Sequence, residues 1–423
     1  MKKNITIAAF LLTFTLPMFA WSNHAGLTHI ILKDHWKTSP PSKVKAESLA
    51  SFLSKESKGI QAILDESDEW AAERLPHCPK PDPKLKFTPP TGTKKENLPF
   101  LFFTALRVNP QHKASLYIQS VEKSPVSKPS KELPNITTLN DKGKLVYEAF
   151  LPLREGESVS PLDILVTAVD EPDYDLDLYL FKDNESEFGQ VYGFGEQPFG
   201  NPKIEYSSQA PFHMGFFHES KMIFALAGFL KRTYPEYRIH QFTKLSQYAF
   251  QTGHPYWGHR FAGWALHYLQ DLTQPYHSSV LPRVGFGKQV GVQFLSMIGF
   301  DSAKVNMIEY ITERHTLIEE YQYYLIKEII GKKQNSHPVS VALTTAPSRS
   351  LDEWKDFDYV RNVITKEAYL AAEEADKEIE NLEIQKYREI YPVEHPIHGI
   401  LARLLSNTSY ITRMYAKNFI KTQ

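Results

Sequence analysis

Gly263-Trp264-Ala265-Leu266-His267-Tyr268-Leu269-Gln270-Asp271-Leu272-Thr273-Gln274-Pro275-Tyr276-His277 carries more chemistry than any other stretch of this 423-residue chain. A helix places His267 and Asp271, four residues apart, on one face. Pro275 cannot continue that helix, so the chain turns there and can swing His277 back toward the same point. Two imidazoles and a carboxylate converging in this way suit zinc. The chain holds 16 His and 17 Asp. Chance alone would give roughly 0.02 matches to His-x3-Asp-x5-His in a sequence of this composition.

Working outward, His315 and Glu319 repeat the four-residue spacing on a second helical stretch. Such pairs are common on helix surfaces, and this one gains meaning only beside the first. Ser208-Gln209-Ala210-Pro211-Phe212-His213 sets a histidine in an apolar loop. Ala168-Val169-Asp170-Glu171-Pro172-Asp173 sets acids after the β-prone run Leu162–Val169. Near the start, Gly26-Leu27-Thr28-His29 lies eight residues after Trp21, with His24 an alternative to His29. An α-amine freed at Trp21 could chelate a cation together with its own carbonyl oxygen, once deprotonated.

Met1-Lys2-Lys3-Asn4 followed by the apolar run Ile5 to Ala20 reads as a secretory signal, with Ala20 as the cleavage residue. The expected product is secreted or periplasmic and has no transmembrane segment. Composition fits a globular protein: 42% hydrophobic, 23% charged, with 48 basic against 49 acidic residues. The balanced charge gives no cationic field for nucleic acid. Cys78 is the single cysteine, so no intramolecular disulfide can form and any metal must be held by His and carboxylates.

Apolar periodicity predicts helices over 43–75, 219–233, 239–252, 256–273, 302–331, 352–380 and 397–419. Residues 76–95 are proline-rich and read as a loop or stiff linker. Leu98–Val108, Ala114–Val121 and Leu145–Leu153 read as short strands. The expected architecture is therefore mainly α with a small β-rich insert. Its parts are a signal peptide at 1–20, a helical domain from 21–75 plus 165–420, and the linker and insert at 76–164. The run Phe100-Leu101-Phe102-Phe103 reads as a buried strand, although a surface-binding module would use it to touch lipid or a partner. His254 and His259 are expected in the core or behind the ligands, and His77, His112, His337, His395 and His398 at the surface.

On these residues the chain resembles the bacterial zinc-dependent phospholipase C family, which shares a multi-helix fold with the P1/S1 nucleases. The resemblance rests on Trp21, Thr28-His29, the Asp170 region, Ser208 to His213, His267-Tyr268-x-x-Asp271-x-x-x-Pro275-x-His277 and His315-x3-Glu319. It covers roughly 21–75 and 165–420, and residues 76–160 have no counterpart in the short family members. The resemblance implies three zinc ions. Asp170, His213, His267 and Asp271 would hold one, and His277, His315 and Glu319 a second. The Trp21 amine and carbonyl, with His29 and the bridging Asp271, would hold the third. Asp173 stands as an alternative to Asp170, and His218 to His213.

The implied activity is hydrolysis of a glycerophospholipid, phosphatidylcholine-like, to diacylglycerol and a phosphorylated head group. Asp170 would act as general base toward the attacking water, a role that Glu171 and Asp173 could also fill. The substrate would be phospholipid at a membrane surface, and the chain would act as a monomer. Tyr174, Tyr206 and Phe212 are candidates to cage a head-group ammonium. The alternative is a P1/S1-type nuclease or 3′-nucleotidase built on the same metals. The second pair separates them: His-x3-Glu, as here, resembles the phospholipases, whereas the nucleases usually show His-x3-Asp.

Overall fold

The structure, a computed structural model, describes residues 21, 23–122, 149–203, 206–280, 282–283, 302–352, 354, 357–380, 382 and 390–421. The signal-peptide expectation for 1–20, the Tyr206 side chain and the start of the Leu145–Leu153 run lie outside them. The described chain is mainly helical. It opens with α1 (His24–His35), β1 (Val44–Lys45), α2 (Leu49–Arg74), α3 (Leu98–Leu106), β2 (Tyr117–Ser120), β3 (Ala149–Pro152), β4 (Ser158–Val159) and α4 (Pro161–Ala168). There follow α5 (Glu187–Val191), α6 (Ala210–His213), α7 (Lys221–Leu226), α8 (Pro235–Gln251), α9 (Pro255–Asp271) and α10 (Pro275–Ser278). The chain ends with α11 (Ser302–Lys332), α12 (Pro338–Thr344), α13 (Phe357–Tyr359), α14 (Lys366–Ile379) and α15 (Pro396–Phe419).

Proline starts most of the later helices. Pro235, Pro255, Pro275, Pro338 and Pro396 each occupy the first helical position. A preset φ and a missing N–H cost nothing there. His337 and His395 sit just before two of these prolines, and their Nδ1 atoms accept from the Val339 and Ile397 amides as N-caps. The strands form two antiparallel pairs. β1 meets β4 with Val44 opposite Val159, and β2 meets β3 with Tyr117 opposite Pro152.

α9 is the axis of the molecule. From Tyr256 to Asp271 every residue of it is buried. A helix without a solvent face must be enclosed by others. Here α8 and α4 flank it and α15 packs against it. Gly263 permits the close approach of α4, because a Cβ there would lie 2.5 Å from the Ala168 Cβ. That contact brings the acidic segment after α4 over the face of α9 that carries His267 and Asp271.

Two runs expected as strands are helices. Leu98–Leu106 forms α3, with Leu98, Phe102, Phe103 and Leu106 turned into the core and Phe100 outward. Nearly every position of Leu-Pro-Phe-Leu-Phe-Phe-Thr-Ala-Leu is apolar, so neither helical nor strand periodicity stands out. Leu162–Val169 lies largely in α4, whose start is fixed by Pro161 and by the Ser160 hydroxyl accepting from the Leu162 amide. The strand expectation does hold at Tyr117–Ser120 and Ala149–Pro152. The proline-rich stretch 76–95 is no free linker. It runs through one-turn helices at Pro83–Leu85 and Lys95–Asn97 and buries Cys78 and Phe87 in the main core.

Several histidines expected at the surface are buried instead. His112 bonds Asp175 at 2.5 Å, and His398 meets the Tyr321 hydroxyl at 2.7 Å. His337 packs edge-on against His398 with ring centroids 4.7 Å apart. An imidazole is small enough to be buried once one nitrogen finds a partner, as Nδ1 does in His112 and in His337. No helix among the described residues is long and apolar enough to cross a membrane.

Candidate metal centre

α9 delivers His267 and Asp271 one turn apart, and α10, begun by Pro275, returns His277 to the Asp271 carboxylate. Asp271 is the hub. Its Oδ2 lies 2.9 Å from His213 Nδ1 and 3.2 Å from His267 Nε2. Its Oδ1 lies 3.3 Å from His24 Nε2 and 3.8 Å from His277 Nδ1. The two oxygens of one carboxylate thus face two different sets of imidazoles. From α11, His315 Nε2 and Glu319 Oε1 approach to 2.5 Å, with His277 Nε2 3.7 Å from the same oxygen.

The acid facing His213 and His267 is Asp173. Its Oδ1 lies 3.7 Å from His213 Nδ1 and 3.6 Å from His267 Nε2. The neighbouring acids have partners of their own, although Asp177 also reaches His213 Nε2 at 3.5 Å. Asp170 accepts from the Ala25 amide at 2.8 Å and from the Gln119 side chain at 2.5 Å, so it anchors α1 and β2. Glu171 pairs with Arg260 and accepts from Trp264 and Tyr117. Asp175 holds His112, and Asp177 holds Arg238 at 2.8 Å. The stretch Pro172–Leu176 is wound as a π-helix, a form frequent at functional sites, and it leaves Asp173 to the cluster.

Three groups result: His24, His267 and Asp271; Asp173, His213 and His267; and His277, His315 and Glu319. Within each, one donor atom per residue lies within 4.8 Å of the others, and all eight residues are buried. Tetrahedral zinc, with bonds near 2.1 Å, sets its donors about 3.4 Å apart. The distances around Asp271 bracket that value. The most direct sign of fit is a set of orphaned atoms. His24 Nε2, Asp173 Oδ1, Asp271 Oδ1 and His315 Nε2 are buried with no well-aligned hydrogen bond, only the close approaches within the cluster given above. Buried polar atoms seldom go unpaired, and these converge.

The far sides of the rings are held. His267 Nδ1 meets the Val169 carbonyl at 2.7 Å, His277 Nδ1 the His213 carbonyl at 2.9 Å, and His24 Nδ1 the Gln270 carboxamide at 2.8 Å. Each carbonyl takes the Nδ1 proton and leaves Nε2 free as a donor toward a cation. Gln270 is fixed in turn by Thr28 and Thr412, and Gln274 donates to Glu319 at 3.1 Å.

Electrostatics divide the cluster. Burial alone would raise the Asp271 carboxyl, but His267, His213 and His24 around it hold it well below the usual range. Burial would lower His213, yet Asp177 and Asp271 push it up to about 10. His277 is pulled down to about 4, and His315 well below its ordinary value, mainly by burial. The His277 and His315 rings are thus neutral at neutral pH, the form that a cation could bind. His213 carries a proton that a cation would displace.

Of the residues the sequence singled out, the structure brings His213, His267, Asp271, His277, His315 and Glu319 together. Trp21 is buried beside them, its indole donating to Thr273 at 2.9 Å, two residues beyond Asp271. His29 is not among them. It lies on the outer flank of α1, 3.2 Å from Glu122, and His24 occupies the position facing Asp271. Asp170 gives way to Asp173, as described. His218 points to the Arg361 carbonyl at 2.7 Å and takes no part. Phe212 is closed in by Tyr234, with the Arg238 guanidinium 4.7 Å from its ring, and has no face for an ammonium. Tyr174 spends its hydroxyl on Gln119. Gln270, Gln274 and Asp177 were not anticipated, although the first two lie inside the stretch that was read most closely. No family model, curated protein or solved structure matches the chain.

Proposed function

We propose that this protein is an exported, zinc-dependent phospholipase C that hydrolyses glycerophospholipids to diacylglycerol and a phosphorylated head group. The observation that carries the reading is Asp271, one buried carboxylate whose two oxygens serve two sets of histidines. A shared carboxylate partly neutralises two dications and lets them sit close, the arrangement suited to phosphate esters.

Asp173, His213, His267 and Asp271 would hold one zinc ion. His277, His315 and Glu319 would hold a second. His24, the second oxygen of Asp271 and the amine of a chain cut before Trp21 would hold a third. Bound zinc supplies an acidified water and a counter-charge for the phosphate. Asp173 would also take the proton of the attacking water, because it is the least buried member of the cluster, at 6% exposure. The proton-accepting role considered for Asp170 falls to it, since Asp170 is spent on Ala25 and Gln119. Asp177 backs His213 from 3.5 Å and keeps its ring oriented. Burial of the cluster strengthens each of these interactions by excluding water.

The test combines N-terminal sequencing and metal content of the secreted protein with turnover of phosphatidylcholine and of single-stranded DNA. A chain beginning at Trp21, three zinc ions and lipid turnover are expected. Rapid DNA cleavage without lipid turnover would move the assignment to the nuclease-type alternative, and a metal-free, inactive protein would end both.

A further inference from the structure

Lys221-Met-Ile-Phe-Ala-Leu-Ala-Gly-Phe-Leu-Lys231 is a run of nine uncharged, mostly apolar residues between two lysines. It folds into α7 and a following 3-10 turn, Gly228–Lys231. An apolar helix in a soluble protein ordinarily buries one face. α7 has no buried residue at all. Met222, Leu226 and Phe229 are 54%, 41% and 44% exposed. Clustered exposure of this kind marks a surface meant to be covered.

The underside of the lobe belongs to the candidate metal centre. Ile223, Phe224 and Ala227 pack on a small satellite core of Ala210, Met214, Phe216 and Leu230. Ala210 starts the helix that carries His213, and Met214 follows that histidine directly. The connecting strap is bonded to the loop of His277: the Gly215 amide donates to the His277 carbonyl at 2.8 Å, and the Val280 amide to Glu219 at 2.8 Å. The lobe is thus fixed to two of the ligand-bearing loops.

We propose that this lobe docks the protein on the surface of a phospholipid bilayer, sinking Met222, Leu226 and Phe229 to the acyl boundary while Lys221 and Lys231 remain among the phosphates. The charge pattern argues for lipid as the occupant. From Ser220 to Pro235 there is no acidic residue, and the basic ones are Lys221, Lys231 and Arg232. Arg232 is occupied by the Phe194 and Glu196 carbonyls, which leaves the two lysines as the free collar. The Lys231 ammonium lies over the Phe224 ring, 4.9 Å from its centroid, so this lysine stands at the rim of the apolar tip. Lysines that snorkel around an apolar tip suit a phosphate-faced, non-directional solvent. A stable protein interface needs about 800 Å² on each side, more than a tip of three side chains offers. The proposal rests on the phospholipase reading and adds how that site meets an aggregated substrate.

The experiment compares the secreted protein with a Met222→Ser, Leu226→Ser, Phe229→Ser triple variant. Binding is read by co-sedimentation with vesicles of phosphatidylcholine and phosphatidylglycerol, and turnover on those vesicles and on monomeric dihexanoyl-phosphatidylcholine. The variant should lose vesicle binding and vesicle turnover at least tenfold while its turnover of the monomer stays within twofold. A variant that still sediments like the parent overturns the proposal, as does equal loss on both substrates or a parent dimer that the variant abolishes. As a converse test, Leu226→Trp should tighten vesicle binding, and unchanged or weaker binding counts against docking. If the parent cleaves the monomer but never sediments, docking fails and the phospholipase reading stands. If it sediments but cleaves neither lipid, docking stands and the phospholipase reading fails.

Discussion

Two segments meet at the candidate metal centre, and they differ in how directly sequence becomes geometry. His267 to His277 rides on a regular helix ended by a proline, so its spacing translates into positions without further information. Asp170 to Asp177 is an acid-rich run wound partly as a π-helix, where the regular 3.6-residue period fails. There the donor is chosen by elimination. Arg260, His112, Arg238 and the Ala25 amide each claim one acid, and Asp173 is what remains. Helical spacing identifies ligands when it alone fixes direction; where five acids crowd one bend, the identity of the ligand resides in its neighbours' partners.

The largest expected effect breaks this contrast at the bend. Asp173→Ala should lower lipid turnover on the order of 10³-fold with a melting temperature close to the parent's, because Asp173 serves the cluster and no fold-holding partner. Asp170→Ala should do the opposite: it leaves the Ala25 amide and the Gln119 carboxamide unsatisfied, at a cost of about 1–3 kcal/mol, with turnover changed less than tenfold. Thermal melts and initial rates on the two variants decide it. A reversal of the two phenotypes would return the ligand role to Asp170.

Much of the helical framework was legible because long amphipathic periods and prolines at helix starts carry their own punctuation. Pro235, Pro255 and Pro396 open helices within four residues of where periodicity put them, whereas the short helix that Pro275 opens was read only as a turn. α3 was not legible, since a segment apolar throughout has no period to detect. The site divides along the same line. His267, Asp271, His277, His315 and Glu319 sit at helical spacings, whereas the choices of Asp173 over Asp170 and His24 over His29 depend on contacts across some 145 and 250 residues of chain. Gln270 was invisible for another reason: a carboxamide inside a helix reads as an ordinary polar residue until His24 is seen bonded to it.

A smaller effect sharpens the contrast within α1, where His24 and His29 lie on different flanks of one helix. His24→Ala should remove one metal ion per chain and cut turnover at least about 10–100-fold, the loss typical even of groups behind a ligand, because the ion would otherwise be left to Asp271 and the freed amine. His29→Ala should leave metal content unchanged, since among the described residues its ring meets Glu122, at 3.2 Å, and not the cluster. Elemental analysis of the two purified variants makes the comparison. Equal loss of metal from both, or from His29→Ala alone, would place the third ion on the other flank.

The smallest effect compares buried histidines inside and outside the cluster. His213 has carboxylates on two sides and is pushed up to about 10, whereas His259 on α9 has only the edge of Phe250 and the surrounding core. Burial pulls His259 down to about 3. The unfolded chain protonates this ring near pH 6.5, while the folded chain resists until about 3. Below pH 6.5 the unfolded state therefore binds the extra proton and gains on the folded one. The contribution of His259 to stability is complete above that value. It should fall by about 1.4 kcal/mol per pH unit on the way to pH 4. His259→Leu keeps the apolar contact with Phe250 and removes the titration, so its acid-side stability curve should be flatter than the parent's by that slope. Parallel urea melts of parent and variant from pH 7 to pH 4 would show the divergence, and curves that stay parallel would mean that the His259 ring finds a proton acceptor in the folded chain after all.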